Sequence, residues 1–144
     1  MKGIREPALV LTPPLQPSPE DDGLLTMDDV MSFKLLADEW VILSACNTAA
    51  PDGSGEGLSG LTRAFFYAGA PAVLVSQWSV DDAATQQLMT YAFAGNKSDR
   101  AQHAALLQNG MVKLIAQGAS DDAHAYFAHP FAWASFVVIG AGAP

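Results

Sequence analysis

The chain has 144 residues, of which 50% are hydrophobic and 15% charged, and its formal net charge is −8. This length fits one domain with a single core. The acidic balance argues against nucleic acid or an anionic membrane as a partner because both attract basic surfaces, and no apolar run approaches the ~20 residues of a membrane-spanning helix.

The N-terminal third is predicted to hold two strands and a helix. Ala8–Thr12 is typical of a short strand, and the proline-rich, acidic stretch Pro13–Gly23 indicates an exposed loop. The pattern that begins at Thr26 is a capping box, which predicts a helix over Thr26–Leu36. The apolar segment Glu39–Ala45 predicts a buried strand.

The middle of the chain continues this alternation. Apolar spacing predicts a helix over Gly57–Ala68, and the apolar run Ala70–Ser76 predicts a strand that is buried on both faces. A helix that ends near Ala94 follows, and Asp81 or Asp82 can cap it.

The C-terminal third predicts a long helix and a last strand. The helix covers Ser98–Gln117 with Gly118 as its stop, and the strand covers Trp133–Ile139. Four strands separated by helices favour an α/β fold with a mostly parallel sheet, in one domain that spans residues 1–144.

The single cysteine, Cys46, comes directly after the predicted strand Glu39–Ala45 and before a loop rich in glycine and polar residues. Open α/β sheets place their chemistry at the carboxyl ends of their strands. Cys46 is therefore a candidate nucleophile, and the structural alternative is a small buried apolar side chain. A lone cysteine excludes an internal disulfide, which favours a reducing compartment, and we expect a cytoplasmic protein.

Three histidines could in principle activate this thiol. We expect His103 to be a solvated helix residue and His124 to lie in a polar loop. His129 precedes the last strand, about two strand spacings, or roughly 10 Å, from the cysteine strand. Because proton transfer requires a separation of about 3 Å, we interpret His129 as a structural residue.

The segment after the strand Ala70–Ser76 is predicted to lie at the same sheet edge as Cys46. It contains Trp78, Asp81 and Asp82, which are candidate substrate-binding residues. A carboxylate at this edge can bind a lysine or arginine side chain of a substrate. The alternative is a helix cap, and either aspartate fits either role.

Motifs for cofactor binding are incomplete. The loop Gly53–Gly57 lacks the Lys-Ser/Thr ending of a phosphate-binding loop and contains Glu56, which would repel phosphate. Gly57–Leu61 lacks the final glycine of a hydrolase elbow. No cysteines, histidines or carboxylates have metal-ligand spacing. The sequence therefore predicts no cofactor and no metal site. Among the candidate functions, a nucleotide-binding domain is the least favoured.

Several segments, in this order, resemble the CHAT domain, a caspase-like cysteine peptidase family that is often fused to tetratricopeptide repeats and is related to separases. They are Thr26 with the helix after it, Leu43–Thr48, Gly55–Leu61, Ala64–Ala70, Trp78–Asp82 and His129–Trp133. The resemblance covers Glu6–Gly140, which is nearly the whole chain.

The resemblance implies a caspase-like three-layer sandwich and peptide-bond hydrolysis by a Cys/His dyad, with Cys46 as the nucleophile. The family's histidine and an oxyanion-hole glycine precede the segment that matches Glu6–Thr12. We therefore expect the chain alone to lack the general base and the first strands, and to be inactive by itself. The implied partners are a protein or peptide substrate and a tetratricopeptide-repeat region in cis or in trans.

Two functions follow from these expectations. One is the C-terminal part of a cysteine peptidase domain. The other is a degenerate module that binds peptides or proteins without cleaving them, or that forms a homo-oligomer through the sheet edge left open by the first strands. A Cys46→Ser substitution separates the two because only the peptidase depends on the thiol.

Overall fold

The computed structural model describes residues 8–18, 21–35, 41–43, 56–94 and 103–140. The elements in chain order are β1 (Ala8–Val10), β2 (Leu24–Thr26), α1 (Met27–Ser32), β3 (Val41–Leu43), α2 (Glu56–Tyr67), β4 (Ala72–Ser76), α3 (Asp82–Phe93), α4 (His103–Ser120), a first 3-10 helix (Asp122–Ala128), a second 3-10 helix (Pro130–Ala132) and β5 (Phe136–Gly140). Within the described ranges, no helix combines the length and apolar character required to cross a membrane.

The described strands form two sheets. β4 lies between β3, to which it is parallel, and β5, to which it is antiparallel. β1 pairs antiparallel with β2 in a separate two-stranded sheet. The expectation of a mixed α/β fold is confirmed. The expected mostly parallel arrangement is not what the described strands show, because β4 has one parallel and one antiparallel neighbour and β1 pairs with a strand that the sequence analysis missed.

The central strand β4 organises the core because side chains alternate between the faces of a strand. Val73 and Val75 pack with α1 and α2 on one face, whereas Leu74 packs with α3, α4 and the first 3-10 helix on the other. All five residues of β4 are buried. This burial on both faces explains why the strand is almost continuously apolar, as predicted.

Three predicted element boundaries are wrong. α1 ends at Ser32 rather than near Leu36, because Phe33 adopts extended backbone angles. α4 continues through Gly118 to Ser120. At Gly118 the absent side chain permits a close contact, since a Cβ atom there would lie 2.3 Å from the backbone nitrogen of Ala128. The last strand begins at Phe136 rather than at Trp133, because the second 3-10 helix and a turn precede it.

The predicted capping box at the start of α1 is confirmed. The Thr26 hydroxyl accepts from the Asp29 amide at 3.2 Å, and the Asp29 carboxylate accepts from the Thr26 amide at 2.9 Å. Two otherwise unpaired amide groups at the helix start are thereby satisfied. Hydrogen bonds from the Thr26 amide and then the Thr26 hydroxyl hold the pKa of Asp29 below its ordinary value of 3.8.

We predict that Thr26→Ala lowers the free energy of unfolding by about 1 kcal/mol, because one cap is lost. A lowered carboxyl pKa contributes stability that is complete above pH 3.8 and is lost as the pH falls through the lower folded value. The acid-dependent part of the stability should therefore shrink in Thr26→Ala. Denaturant unfolding between pH 2 and pH 7 measures both effects, with Thr90→Ala as an exposed helical control. Equal stability loss in both variants would contradict the capping role.

Candidate active site

The site is built on one edge of the three-stranded sheet. Leu43 pairs with Val75 and Ser76 pairs with Phe136, so the carboxyl ends of β3 and β4 lie at the same edge as the beginning of β5. The segments after β4 and before β5 meet there, because the Gln77 amide donates to the carbonyl of Ser135 at 2.9 Å. The residues that follow β4 therefore lie at the edge where β3 ends.

Cys46 follows the last residue of β3, Leu43, by three positions in the sequence. It lies outside the described residues. Its assignment as a nucleophile therefore stays a prediction.

Trp78 is anchored on the segment that precedes β5. Its indole Nε1 donates to the carbonyl of Phe131 at 3.3 Å, and its ring stacks on the Phe131 ring with centroids 6.3 Å apart. Phe131 is 56% exposed. The sequence analysis did not select Phe131 as a site residue, because its contact with Trp78 joins residues that are far apart in the chain. Its presence in a segment of the family resemblance was the one available signal.

The structure distinguishes the two aspartates. The Asp81 carboxylate accepts from the Ala84 amide at 2.9 Å and from the Tyr126 hydroxyl at 3.1 Å, so Asp81 caps α3. Asp82 is the first residue of α3 and is exposed, and its carboxylate makes no hydrogen bond to another residue in the described part of the chain. Partial burial and the bond to Asp81 raise the pKa of Tyr126. Both aspartates are exposed, and Asp82 is the one whose carboxylate has no hydrogen-bond partner among the described residues.

The structure describes the surroundings of all three histidines. One of them, His103, does not lie where the sequence predicted. His103 is only 4% exposed, so the expected solvated position is wrong: His103 begins the buried stripe of α4. The His124 Nδ1 donates to the Asp121 carboxylate at 2.6 Å, which lowers the pKa of Asp121. The His129 Nδ1 accepts from the Phe131 amide at 3.2 Å and caps the second 3-10 helix, as expected of a structural residue.

The sequence model of the CHAT domain family matches residues 3–141, which include every described strand of the sheet and the edge just outlined. The chain belongs to the CHAT domain family. The family assignment made from the sequence motifs is therefore confirmed.

The curated relatives of this CHAT chain are much longer proteins. Human tetratricopeptide repeat protein 28 is 34% identical over 128 residues, which are 89% of this chain and 5% of that protein. The mouse protein of the same name is 34% identical over 117 residues, which are 81% of this chain and 4% of that protein. No solved structure shows significant similarity. The CHAT chain thus spans about 5% of the length of the human relative.

The segments that meet at this edge of the CHAT chain carry acidic side chains. Residues 76–94 and 114–140 contain the aspartates Asp81, Asp82, Asp121 and Asp122 and no lysine or arginine. The Asp81–Tyr126 hydrogen bond joins these two segments. A ligand that binds here meets carboxylates and aromatic rings, which favours cationic and apolar groups over anionic ones.

Proposed function

We propose that residues 1–144 are the C-terminal part of a single caspase-like CHAT domain and carry the nucleophile of a cysteine peptidase at Cys46. Membership of the CHAT family supports the reaction class. The observation that carries the proposal is the parallel pairing of β3 with β4, because it brings the strand before Cys46 to the same edge as Trp78 and Asp82. Such an edge is where α/β folds position ligands and reactive groups.

In the proposed reaction, the Cys46 thiolate attacks the carbonyl carbon of the scissile peptide bond, and the Cys46 amide donates to the developing oxyanion. The tetrahedral intermediate collapses to a thioester, and the released amine takes a proton from the conjugate acid of the base. Water then hydrolyses the thioester and regenerates the thiol.

We propose that the base is a histidine from outside these 144 residues. His103 is buried in α4, and His124 and His129 use their Nδ1 atoms in hydrogen bonds that stabilise the two 3-10 helices. The three histidines of this chain thus have local structural surroundings. The chain by itself is then expected to hydrolyse peptides very slowly, because removal of a general base costs several orders of magnitude in rate.

In this proposal, Asp82 selects a lysine or arginine side chain of the substrate and Trp78 lines the same pocket. The support is the different bonding of two exposed aspartates: Asp81 accepts from the Ala84 amide and the Tyr126 hydroxyl, whereas Asp82 has no hydrogen-bond partner in the described part of the chain. A carboxylate with spare acceptor sites forms charge-assisted hydrogen bonds to guanidinium or ammonium groups.

The aspartate assignment predicts that one substitution weakens substrate binding and that the other lowers stability. Asp82→Asn should raise the KM for peptides with lysine or arginine before the scissile bond and leave thermal stability unchanged. Asp81→Ala should lower the free energy of unfolding by about 1 kcal/mol because α3 loses its cap. Peptide kinetics and denaturant unfolding of both variants, made in the longest natural polypeptide that contains this domain, provide the measurement. A preference for basic peptides that survives Asp82→Asn would contradict the assignment.

The alternative function is a peptide-binding module without catalysis. The exposed ring of Phe131 favours it, because exposed apolar surface often marks an interaction site. Binding at such a surface needs no thiol. The names of the relatives support a tetratricopeptide-repeat region as a partner in cis or in trans. The remaining partner proposal is self-association through the lateral edge of the sheet, which the expected first strands would otherwise cover.

Hydrolysis of fluorogenic peptides by the longest natural polypeptide that contains this domain separates the two functions. The peptidase proposal expects release of the dye after lysine or arginine and none after aspartate. Intact basic peptides that nevertheless bind the folded protein would favour the binding module.

A further inference from the structure

Two aromatic rings, which we call the aromatic platform, lie at the sheet edge, where Phe131 is exposed and Trp78 is half-buried. The platform consists of Trp78 and Phe131, whose ring planes are inclined by only 29°. Phe131 is 56% exposed, whereas the next residue, Ala132, is 3% exposed and belongs to the core. The turn is thus fixed to the core on one side and presents a large apolar ring to solvent on the other. Exposed apolar surface of this kind often marks a binding site.

The platform is held on a rigid support. Three hydrogen bonds join the segment after β4 to the segment before β5: Gln77 amide to Ser135 carbonyl at 2.9 Å, Trp78 Nε1 to Phe131 carbonyl at 3.3 Å, and Tyr126 hydroxyl to Asp81 carboxylate at 3.1 Å. Pro130 and the His129 cap restrict the turn further. Rings that are ordered before binding lose little conformational entropy when a ligand arrives, which favours affinity.

The charges around the platform restrict the ligand. Asp81 and Asp82 follow Trp78 by three and four positions, and Asp81 is bonded to Tyr126 in the segment that precedes Phe131. An acidic peptide or a nucleic acid would be repelled by these carboxylates. A ligand with an apolar side chain flanked by cationic residues can pack on the rings and be attracted by the carboxylates near them.

We propose that the aromatic platform binds one apolar side chain, such as leucine, of an extended polypeptide whose neighbouring residues are lysine or arginine. This inference rests on the peptide-binding part of the proposed function, and it adds a second contact to the one assigned to Asp82. Phe131 is the residue that determines the preference for the apolar side chain. Trp78 positions Phe131 through the hydrogen bond to its carbonyl and contributes the second ring.

A binding measurement tests the platform without any hydrolysis. The probe is a fluorescein-labelled decapeptide with one leucine between two lysines in a glycine-serine background, and the protein is the longest natural polypeptide that contains this domain, with Cys46→Ser. We expect Phe131→Ser to raise the Kd about tenfold, and replacement of the peptide's leucine by serine to do the same. The two changes together should raise the Kd little more than either one alone, because both remove the same contact.

Tyr67→Ser is the matched control. Tyr67 is also an exposed aromatic residue (78%), but it ends α2, next to the beginning of β4 at the opposite edge of the sheet. Its loss should leave the Kd unchanged. Trp78→Phe, which keeps a ring and removes the Nε1 donor, should weaken binding less than Phe131→Ser does.

The proposal is overturned if Phe131→Ser and the serine peptide act additively, if the parent peptide does not bind at millimolar concentration, or if sedimentation shows that Phe131 instead mediates association of two chains. Coupling between Phe131 and the leucine supports the platform. If that coupling is present and the longest natural polypeptide that contains this domain, with Cys46 intact, cleaves no basic peptide, the peptidase proposal fails while the platform stands.

Discussion

Replacing Cys46 with serine is expected to reduce peptide hydrolysis by at least about a thousandfold in the longest natural polypeptide that contains this domain. A serine hydroxyl is far less acidic than a thiol, so a base matched to the thiol leaves almost no alkoxide at neutral pH. Binding of the substrate should persist, because serine is close to cysteine in size. Initial rates and Kd values for the same basic peptide measure the two effects separately.

Ser79→Ala is a suitable control for this experiment. Ser79 is exposed and lies beside Trp78 on the segment that follows β4, at the same sheet edge. Its removal should change the rate by less than about twofold, since surface substitutions rarely have large effects. If Cys46→Ser retained the rate of Ser79→Ala, Cys46 would not be the nucleophile and the binding module would be the better account.

Gly118→Ala is expected to lower the free energy of unfolding by about 3 kcal/mol. Helix propensity alone predicts the opposite sign, because alanine is favoured over glycine by about 1 kcal/mol inside a helix. A Cβ atom at Gly118, however, would lie 2.3 Å from the Ala128 nitrogen and 2.9 Å from the Phe127 carbonyl carbon. Both contacts are with backbone, so relief requires a shift of α4 relative to the first 3-10 helix.

Asn109→Ala in the same helix isolates the propensity effect, because Asn109 is exposed. This variant should be unchanged or more stable by a few tenths of a kcal/mol. Denaturant unfolding of the two variants beside the parent chain gives the comparison. If Gly118→Ala were as stable as Asn109→Ala, the close approach of α4 to the 3-10 helix would be wrong.

Features determined by neighbouring residues were predictable from the sequence. The capping box at Thr26 depends on groups three residues apart, and the strand at Ala72–Ser76 is visible as an apolar run. The position of Trp78 at the sheet edge follows from its place directly after that strand. His103 was wrongly expected to be solvated, although the buried residues of α4, which begin with His103, recur at helical spacing.

Features that depend on distant pairing were not predictable. β2 has three residues and exists because β1 pairs with it across the intervening loop. Gly118 has the sequence appearance of a helix stop, and only the approach of Ala128 reveals a packing role. Phe131 joins the site through Trp78, which lies 53 positions earlier in the chain. Single-sequence patterns do not report such contacts between elements.

Covalent trapping of Cys46 tests the central claim most directly. The longest natural polypeptide that contains this domain is treated with a peptidyl acyloxymethyl ketone that has lysine beside the reactive group, and the modified residue is located by mass spectrometry. The account predicts one adduct per chain, on Cys46, formed more slowly in Asp82→Asn and absent in Cys46→Ser. Labelling of a different residue, or cleavage of basic peptides by a protein in which Cys46 stays unmodified, would contradict it.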